Sequence, residues 1–134
     1  MGQSASLEVL STPTDVLIDR VHEGLPYSEI DRLSTQLALP IRGLAKTLGI
    51  PERTLARRRR DGRLSSDESE RVLRLERLFS LAVAMLRDDE RARSWLKNPK
   101  RALGDNTPLG YAETEVGARE VENLIGRIRH GVLV

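Results

Sequence analysis

The chain of 134 residues contains no cysteine, only two histidines, and aromatic residues at just 3%. Without cysteine it can form neither a disulfide nor a thiolate-ligated metal site. His22 and His130 lie in no recognisable metal or catalytic motif, so we expect no metal, no cofactor and no catalytic residue. A core with so few rings must be built from Leu, Val, Ile and Ala, which favours packed helices over β-sheets.

Long apolar runs are also missing, and we expect no secretory signal at the start of the sequence. No run approaches the roughly 20 apolar residues needed to cross a bilayer. The opening MGQSASLEVL lacks the basic start and long apolar stretch of a secretory signal. Hydrophobic residues make up 39% and charged residues 31%, which is typical of a folded chain rather than a disordered one. We therefore expect a cytoplasmic location and no membrane partner.

Positive charge is concentrated in one short window. The formal net charge of the chain is only +2, but residues 41–64 contain eight basic residues against two acidic ones. Residues 1–40 are net acidic, and residues 65–134 are balanced. A basic cluster of this kind attracts polyanions, chiefly nucleic acid or an anionic membrane. The alternative interpretation is a basic face that contacts only solvent.

Apolar residues recur at helical spacing along most of the chain, and no strand pattern is present. Ser28 is expected to cap one helix, and Ser65 with Glu68 forms a capping-box pattern before a longer one. Residues 99–114 are predicted as a loop with one turn. Seven helices are predicted. They run from Thr14 to about Glu23, from Ser28 to a point before Pro40, over 41–49, over 51–60, from just after Ser65 to about Arg87, from Asp88 to Asn98, and from about Glu115 to His130.

The predicted apolar faces define an all-α chain. Trp95 is interpreted as a core residue. Val116 and Ile128 are assigned to the buried face of the last helix. These patterns divide the chain into a flexible N-terminus over residues 1–12, a helix-turn-helix domain over 13–64, and a helical domain over 65–134.

The two short helices on either side of Gly49 meet the physical demands of a helix-turn-helix. Ala45 is small enough to let the second helix approach the first. Gly49 can adopt the left-handed conformation of the turn. Ile50 then enters the core, and Leu55 anchors the second helix from beneath. Because this motif coincides with the charge maximum, the sequence predicts contact with DNA.

The exposed face of the second helix would enter the major groove, where the N-terminal half of a recognition helix meets base edges. We expect Arg53, Thr54 and Arg57 to contact bases, since Arg pairs bidentately with guanine. Glu52 lies on the same exposed face. Phosphate contacts are expected from Arg42, Lys46, Arg58, Arg59 and Arg60.

The C-terminal half, from about Glu70, resembles the C-terminal domain of Xre/MbcA/ParS-type antitoxins, the partners of RES-domain toxins. The upstream helix-turn-helix is similar to the Cro/repressor-like domain of the same antitoxins. Together the resemblance covers about residues 14–134. The residues that carry it are Trp95, Pro99, Ala102, Leu103, Gly104, Pro108, Leu109, Glu113, Thr114, Gly117 and the closing GRIRHGVLV.

The resemblance implies an all-helical antitoxin that forms a homodimer, binds operator DNA and represses its own operon. It also implies a toxin-binding domain that inhibits a RES-domain toxin, an enzyme that consumes NAD. In this family the C-terminal segment reaches the active site of the toxin. Carried onto this sequence, the segment comprises His130, Gly131, Val132, Leu133 and Val134, flanked by Arg127 and Arg129.

The residues themselves agree with that implication. Gly131 releases the chain from the helix, and three apolar residues with a terminal carboxylate then project. An exposed apolar tip is unfavourable unless something covers it, and the pocket of a partner would do so. A tail folded back on its own domain is the alternative.

A second function remains open from the sequence alone. The chain could be a helix-turn-helix transcriptional repressor whose C-terminal domain dimerises or senses a small ligand. In either case the long helix behind Ser65 offers a wide apolar stripe for dimerisation. Phe79, Met85 and Leu86 are its expected anchors.

Overall fold

The computed structural model describes residues 8–131, and this part of the chain is built of helices without any strand. Two isolated bridges, Pro26 with Arg63 and Lys100 with Asn106, are its only β pairings. The helices are α1 (Glu8–Ser11), α2 (Thr14–Glu23), α3 (Ser28–Leu37), α4 (Ile41–Leu48), α5 (Glu52–Asp61), α6 (Ser66–Leu86), α7 (Asp89–Lys97), a 3-10 turn (Arg101–Leu103), α8 (Pro108–Tyr111) and α9 (Glu115–Arg129).

The described residues form two compact units. One unit comprises Ser11–Arg74 and contains α2 to α5 with the first turns of α6. The other unit comprises the described residues from 75 to 131 together with residues 8–10. The helices predicted from apolar spacing are all present, and their bounds agree with the prediction within one or two residues.

The core of the first unit is aliphatic, as the scarcity of rings requires. Side chains from α3, α4 and α5 pack there because their apolar residues recur every three or four positions. Ile30, Leu33, Leu37, Leu44 and Leu55 are among its fully buried members. The prediction that Ser28 caps α3 is wrong. Ser28 is the first helical residue, and no side chain caps that end.

The second unit is held together by short capped helices around a buried centre. Phe79 of α6, Leu96 of α7 and Ile125 of α9 are fully buried there. The Thr107 hydroxyl accepts a hydrogen bond from the Gly110 amide at the start of α8, and the Thr114 hydroxyl accepts one at α9. These side chains satisfy amide groups that the helix leaves without partners.

Several sequence expectations fail in this unit. The one turn predicted in residues 99–114 is present as the 3-10 turn, but the same segment also contains α8, which the prediction lacks. Trp95 is half-buried rather than core, and the Lys100 ammonium lies 4.9 Å from the centroid of its ring. Burial lowers the pKa of Lys100. Val116 is 75% exposed and Ile128 is 43% exposed, so neither belongs to the core.

The expected dimer anchors also change. Phe79 is completely buried within its own chain, so it cannot present its ring to a second copy. Met85 and Leu86 are each half-buried.

Among residues 8–131, no helix is long and apolar enough to cross a membrane. The same residues bring together no group of three potential metal ligands.

Two glycines of α9 offer a matched test of this packing. A Cβ at Gly117 would lie 1.7 Å from the carbonyl oxygen of Tyr111, whereas one at Gly126 would meet nothing within 4 Å. Overpacking of this kind lowers the free energy of unfolding by about 1–3 kcal/mol. We expect Gly117→Ala to lower it by at least the upper value of that range, because the obstructing atom belongs to the backbone.

Gly126→Ala should instead raise the free energy of unfolding by about 0.5–1 kcal/mol, because alanine favours a helix interior over glycine. Urea unfolding of both variants checks this pair. Equal effects of the two substitutions would show that α9 does not pack closely at Gly117.

Candidate nucleic-acid interface

The turn between α4 and α5 has the geometry that the sequence predicts. Gly49 ends α4 in the left-handed conformation, with φ of 69°. The Ile50 amide donates a hydrogen bond of 3.0 Å to the carbonyl of Ala45, which closes the turn. Ile50 is buried, and Leu55 fixes the inner face of α5. The two helices therefore form a helix-turn-helix.

A guanidinium from α6 holds this turn from outside the motif. Arg71 donates from one nitrogen to the carbonyl oxygens of Leu48 and Gly49, at 3.4 and 3.2 Å. Carbonyl groups at a helix C-terminus lack partners and carry partial negative charge, so a cation there is favourable. Arg71 is not among the site residues predicted from the sequence. Its long-range contact leaves no signal in the local pattern.

A second and stronger link joins α5 to the start of α6. The Arg58 guanidinium donates to both carboxylate oxygens of Glu68, at 2.8 and 3.1 Å. Glu68 also accepts from the Ser65 amide at 2.9 Å, while the Ser65 hydroxyl accepts from the Glu68 amide. The predicted capping box is thus confirmed. Its carboxylate has a further partner that the sequence did not reveal.

This arrangement fixes the charge of Glu68. Burial alone would raise its pKa, but hydrogen bonds from Arg58 and Ser65 outweigh that effect and lower the pKa below its usual value. The hydrogen bond to Glu68 in turn raises the pKa of Arg58. The link between Arg58 and Glu68 holds α5 against the start of α6. The expected phosphate contact of Arg58 stays a prediction.

The segment after α5 is clamped to the segment before α3. The Leu64 amide donates to the Leu25 carbonyl at 2.9 Å, and the Tyr27 amide donates to the Gly62 carbonyl at the same distance. The Leu25 amide donates to the buried hydroxyl of Ser69 at 2.8 Å. These bonds fix both ends of the loop that follows α5.

The outer face of α5 carries a stripe of free arginines. Successive helical residues are rotated by 100°, so the positions on the side of α5 away from Leu55 are those of Arg53, Arg57 and Arg60. All of them are exposed. Among the described residues, the side chains of these three arginines have no hydrogen bond or ion pair. We call Arg53, Arg57 and Arg60 the outer arginine stripe.

The other residues predicted to contact DNA differ in how far they are buried. Thr54 is half-buried, whereas Arg59 and Lys46 are exposed. The Nε of Arg42 lies 3.6 Å from a carboxylate oxygen of Glu52, and both residues line an open groove between α4 and α5. The groove has a volume of about 560 Å³, and its apolar lining includes Pro40, Ala45, Ile50 and Pro51. The structure thus brings the predicted DNA-contacting residues to one region of the first unit.

The candidate toxin-binding residues lie at the end of α9 in the second unit. Arg127 forms an ion pair of 3.5 Å with Glu120. Arg129 and His130 are exposed, and Gly131 has a left-handed φ of 69°. Ile128 continues the buried stripe of α9 but is itself exposed. Val132, Leu133 and Val134 lie outside the described residues.

The fold and the basic face define a helix-turn-helix DNA-binding protein with a second helical domain. A family model described as the antitoxin Xre-like helix-turn-helix domain matches residues 16–77. A model of the antitoxin Xre/MbcA/ParS C-terminal toxin-binding domain matches residues 81–131. The chain therefore belongs to the Xre antitoxin family.

Relatives with curated names agree with this assignment. The chain is 40% identical to antitoxin Xre of Yersinia enterocolitica over 119 residues, covering 87% of this chain and 80% of that protein. It is 36% identical to antitoxin Xre of Photorhabdus laumondii, over 84% of this chain and 78% of that protein. Antitoxin Xre of Pseudomonas putida is 35% identical over 61% of this chain and 52% of that protein.

Family membership decides between the functions that the sequence left open. Residues 81–131 match a toxin-binding domain, so a domain that senses a small ligand is not needed to explain them. The chain is a type II antitoxin with a DNA-binding domain, and it belongs to a non-enzymatic regulatory family.

The link between Arg58 and Glu68 predicts a specific dependence on pH. Because the pKa of Glu68 is lowered in the folded chain, its contribution to stability is complete above the pKa of an unfolded glutamate, about 4.3. That contribution is lost as the pH falls through the lower native pKa. We expect Glu68→Gln to be less stable than the wild type at neutral pH in urea unfolding.

The difference between the two proteins should then shrink as the pH is lowered below about 4. Glu70→Gln is the matched control, since Glu70 is an exposed acid of the same helix, and it should show little difference at any pH. A Glu68→Gln difference that does not vary with pH would contradict the assigned ionic link.

Proposed function

We propose that this chain neutralises a RES-domain toxin that consumes NAD, and that it represses its own operon as a homodimer. The observation that carries the proposal is the division of the chain into two compact units with different exposed surfaces. The first unit presents the outer arginine stripe, and the second presents the end of α9. Each of the two tasks is therefore assigned to its own unit.

The DNA-binding part of the proposal is supported by free positive charge on a recognition helix. The outer arginine stripe lies opposite the buried Leu55, so α5 can enter a major groove without loss of its packing. Arg42, Lys46 and Arg59 are exposed and can approach phosphates. A homodimer would place two copies of α5 on half-sites about one helical turn apart, roughly 34 Å.

The toxin-binding part is supported by the end of α9. A buried apolar stripe normally ends where the core ends, but here Ile128 extends it into solvent. Arg127, Arg129, His130 and Gly131 lie beside it, and the apolar Val132, Leu133 and Val134 follow in the sequence. Such a segment is suited to a pocket on a partner, where its apolar side chains would be buried. We propose that it covers the active site of the toxin.

Two variants should separate the two activities. Removing Val132, Leu133 and Val134 should abolish protection when the chain is produced together with its RES-domain toxin, because the segment that covers the active site is shortened. Cellular NAD and growth are the measurements. The same truncated chain should bind operator DNA with the affinity of the wild type.

Arg57→Ala is the matched variant in the other unit. It should weaken operator binding about five- to 150-fold, the range for loss of one bidentate base contact, while protection of NAD is unchanged. If the truncated chain still protects NAD fully, the role of the C-terminal segment is wrong. If Arg57→Ala binds operator DNA as well as the wild type, the role of α5 is wrong.

A further inference from the structure

We infer that each DNA half-site bound by this chain carries two guanines separated by one base pair, and that Arg53 and Arg57 read them. This inference rests on the proposed DNA binding and goes further, because it names the bases that α5 recognises. It follows from which arginines are free, where they lie on α5, and how far apart they are.

The structure separates the arginines around the helix-turn-helix by their existing partners. Arg58 is held by Glu68, Arg63 donates to the carbonyl of Gly24, and Arg42 pairs with Glu52. In the described part of the chain, Arg53 and Arg57 have no such partner. Their guanidinium groups therefore give up no internal hydrogen bond when they bind DNA.

Position along α5 favours bases over phosphates for these two arginines. Arg53 is the second residue of α5 and Arg57 the sixth, so both lie in the N-terminal part that enters a major groove. Both also lie opposite Leu55, the face directed away from the core. Arg60 shares that face but lies one turn further along, where a recognition helix leaves the groove. We assign Arg60 to a phosphate.

The chemistry of the side chain selects the base. A guanidinium offers two parallel N–H donors, and guanine is the base that presents two adjacent acceptors, N7 and O6, in the major groove. Adenine presents one acceptor beside a donor, so the second N–H of arginine would lack a partner. Two free arginines on the reading face therefore specify two guanines.

The distance between the two arginines sets the spacing of the guanines. Four helical residues span about 6 Å along the axis of α5. Stacked base pairs are about 3.4 Å apart. The two side chains thus reach base pairs separated by about two steps, which leaves one base pair between them.

The test is selection of bound sequences from random duplex DNA by the full chain, followed by affinity measurements on the selected site. The wild type should select two guanines with one intervening base pair in each half-site. Arg53→Ala should relax the choice at one of these positions, and Arg57→Ala should relax it at the other. Replacing each guanine by 7-deazaguanine, which lacks the N7 acceptor, should weaken wild-type binding about five- to 150-fold.

Two further variants separate base reading from charge. Arg57→Lys keeps the charge but lacks the fork of donors, so it should bind DNA yet lose the preference for guanine at its position. Arg60→Ala should keep both guanine preferences. For this variant, the slope of the logarithm of the binding constant against the logarithm of the salt concentration should be shallower by about 0.9. All three arginine side chains are exposed, so each of the four variants should unfold at the wild-type temperature.

Failure of the inference and failure of the proposed function give different results. If the wild type selects a site but Arg53→Ala and Arg57→Ala weaken all sequences equally, the two arginines contact phosphates and the guanine assignment is overturned, while DNA binding stands. If the wild type selects no sequence and binds no operator DNA, both the inference and the proposed DNA binding are overturned.

Discussion

The bidentate hydrogen bond between Arg58 and Glu68 is the contact on which the DNA-binding unit depends. It joins the recognition helix α5 to the first turn of α6, and its carboxylate also caps α6 through Ser65. Glu68 is only 8% exposed, so loss of Arg58 would leave a buried charge without its partner. Arg71 adds a second link from α6, to the turn that precedes α5.

This constraint explains how a run of four arginines can serve two purposes. Consecutive helical residues are 100° apart, so Arg57 and Arg58 lie on different faces of α5 although they are neighbours in sequence. Arg58 reaches Glu68 and stabilises the fold, whereas Arg57 and Arg60 remain free on the outer face. Because Arg58 fixes α5, Arg57 and Arg60 are held in a defined position for the proposed contact with DNA.

Local patterns in the sequence predict most of the fold and part of the site. Helix bounds, the left-handed Gly49 and the capping box all follow from residues a few positions apart. The pairing of Arg58 with Glu68 spans ten residues across a loop, so periodicity cannot reveal it. Periodicity also shows which face of a helix is apolar but not where the core ends. For that reason it predicts that Val116 and Ile128 are buried, whereas both are exposed.

A double-mutant cycle on Arg58 and Glu68 tests the central claim most directly. Free energies of unfolding would be measured in urea for the wild type, Arg58→Ala, Glu68→Ala and the double variant. A parallel cycle on the exposed pair of Arg119 and Glu115 serves as the reference. The account predicts a coupling between Arg58 and Glu68 clearly larger than that of the exposed pair. Equally small couplings for the two pairs would contradict it.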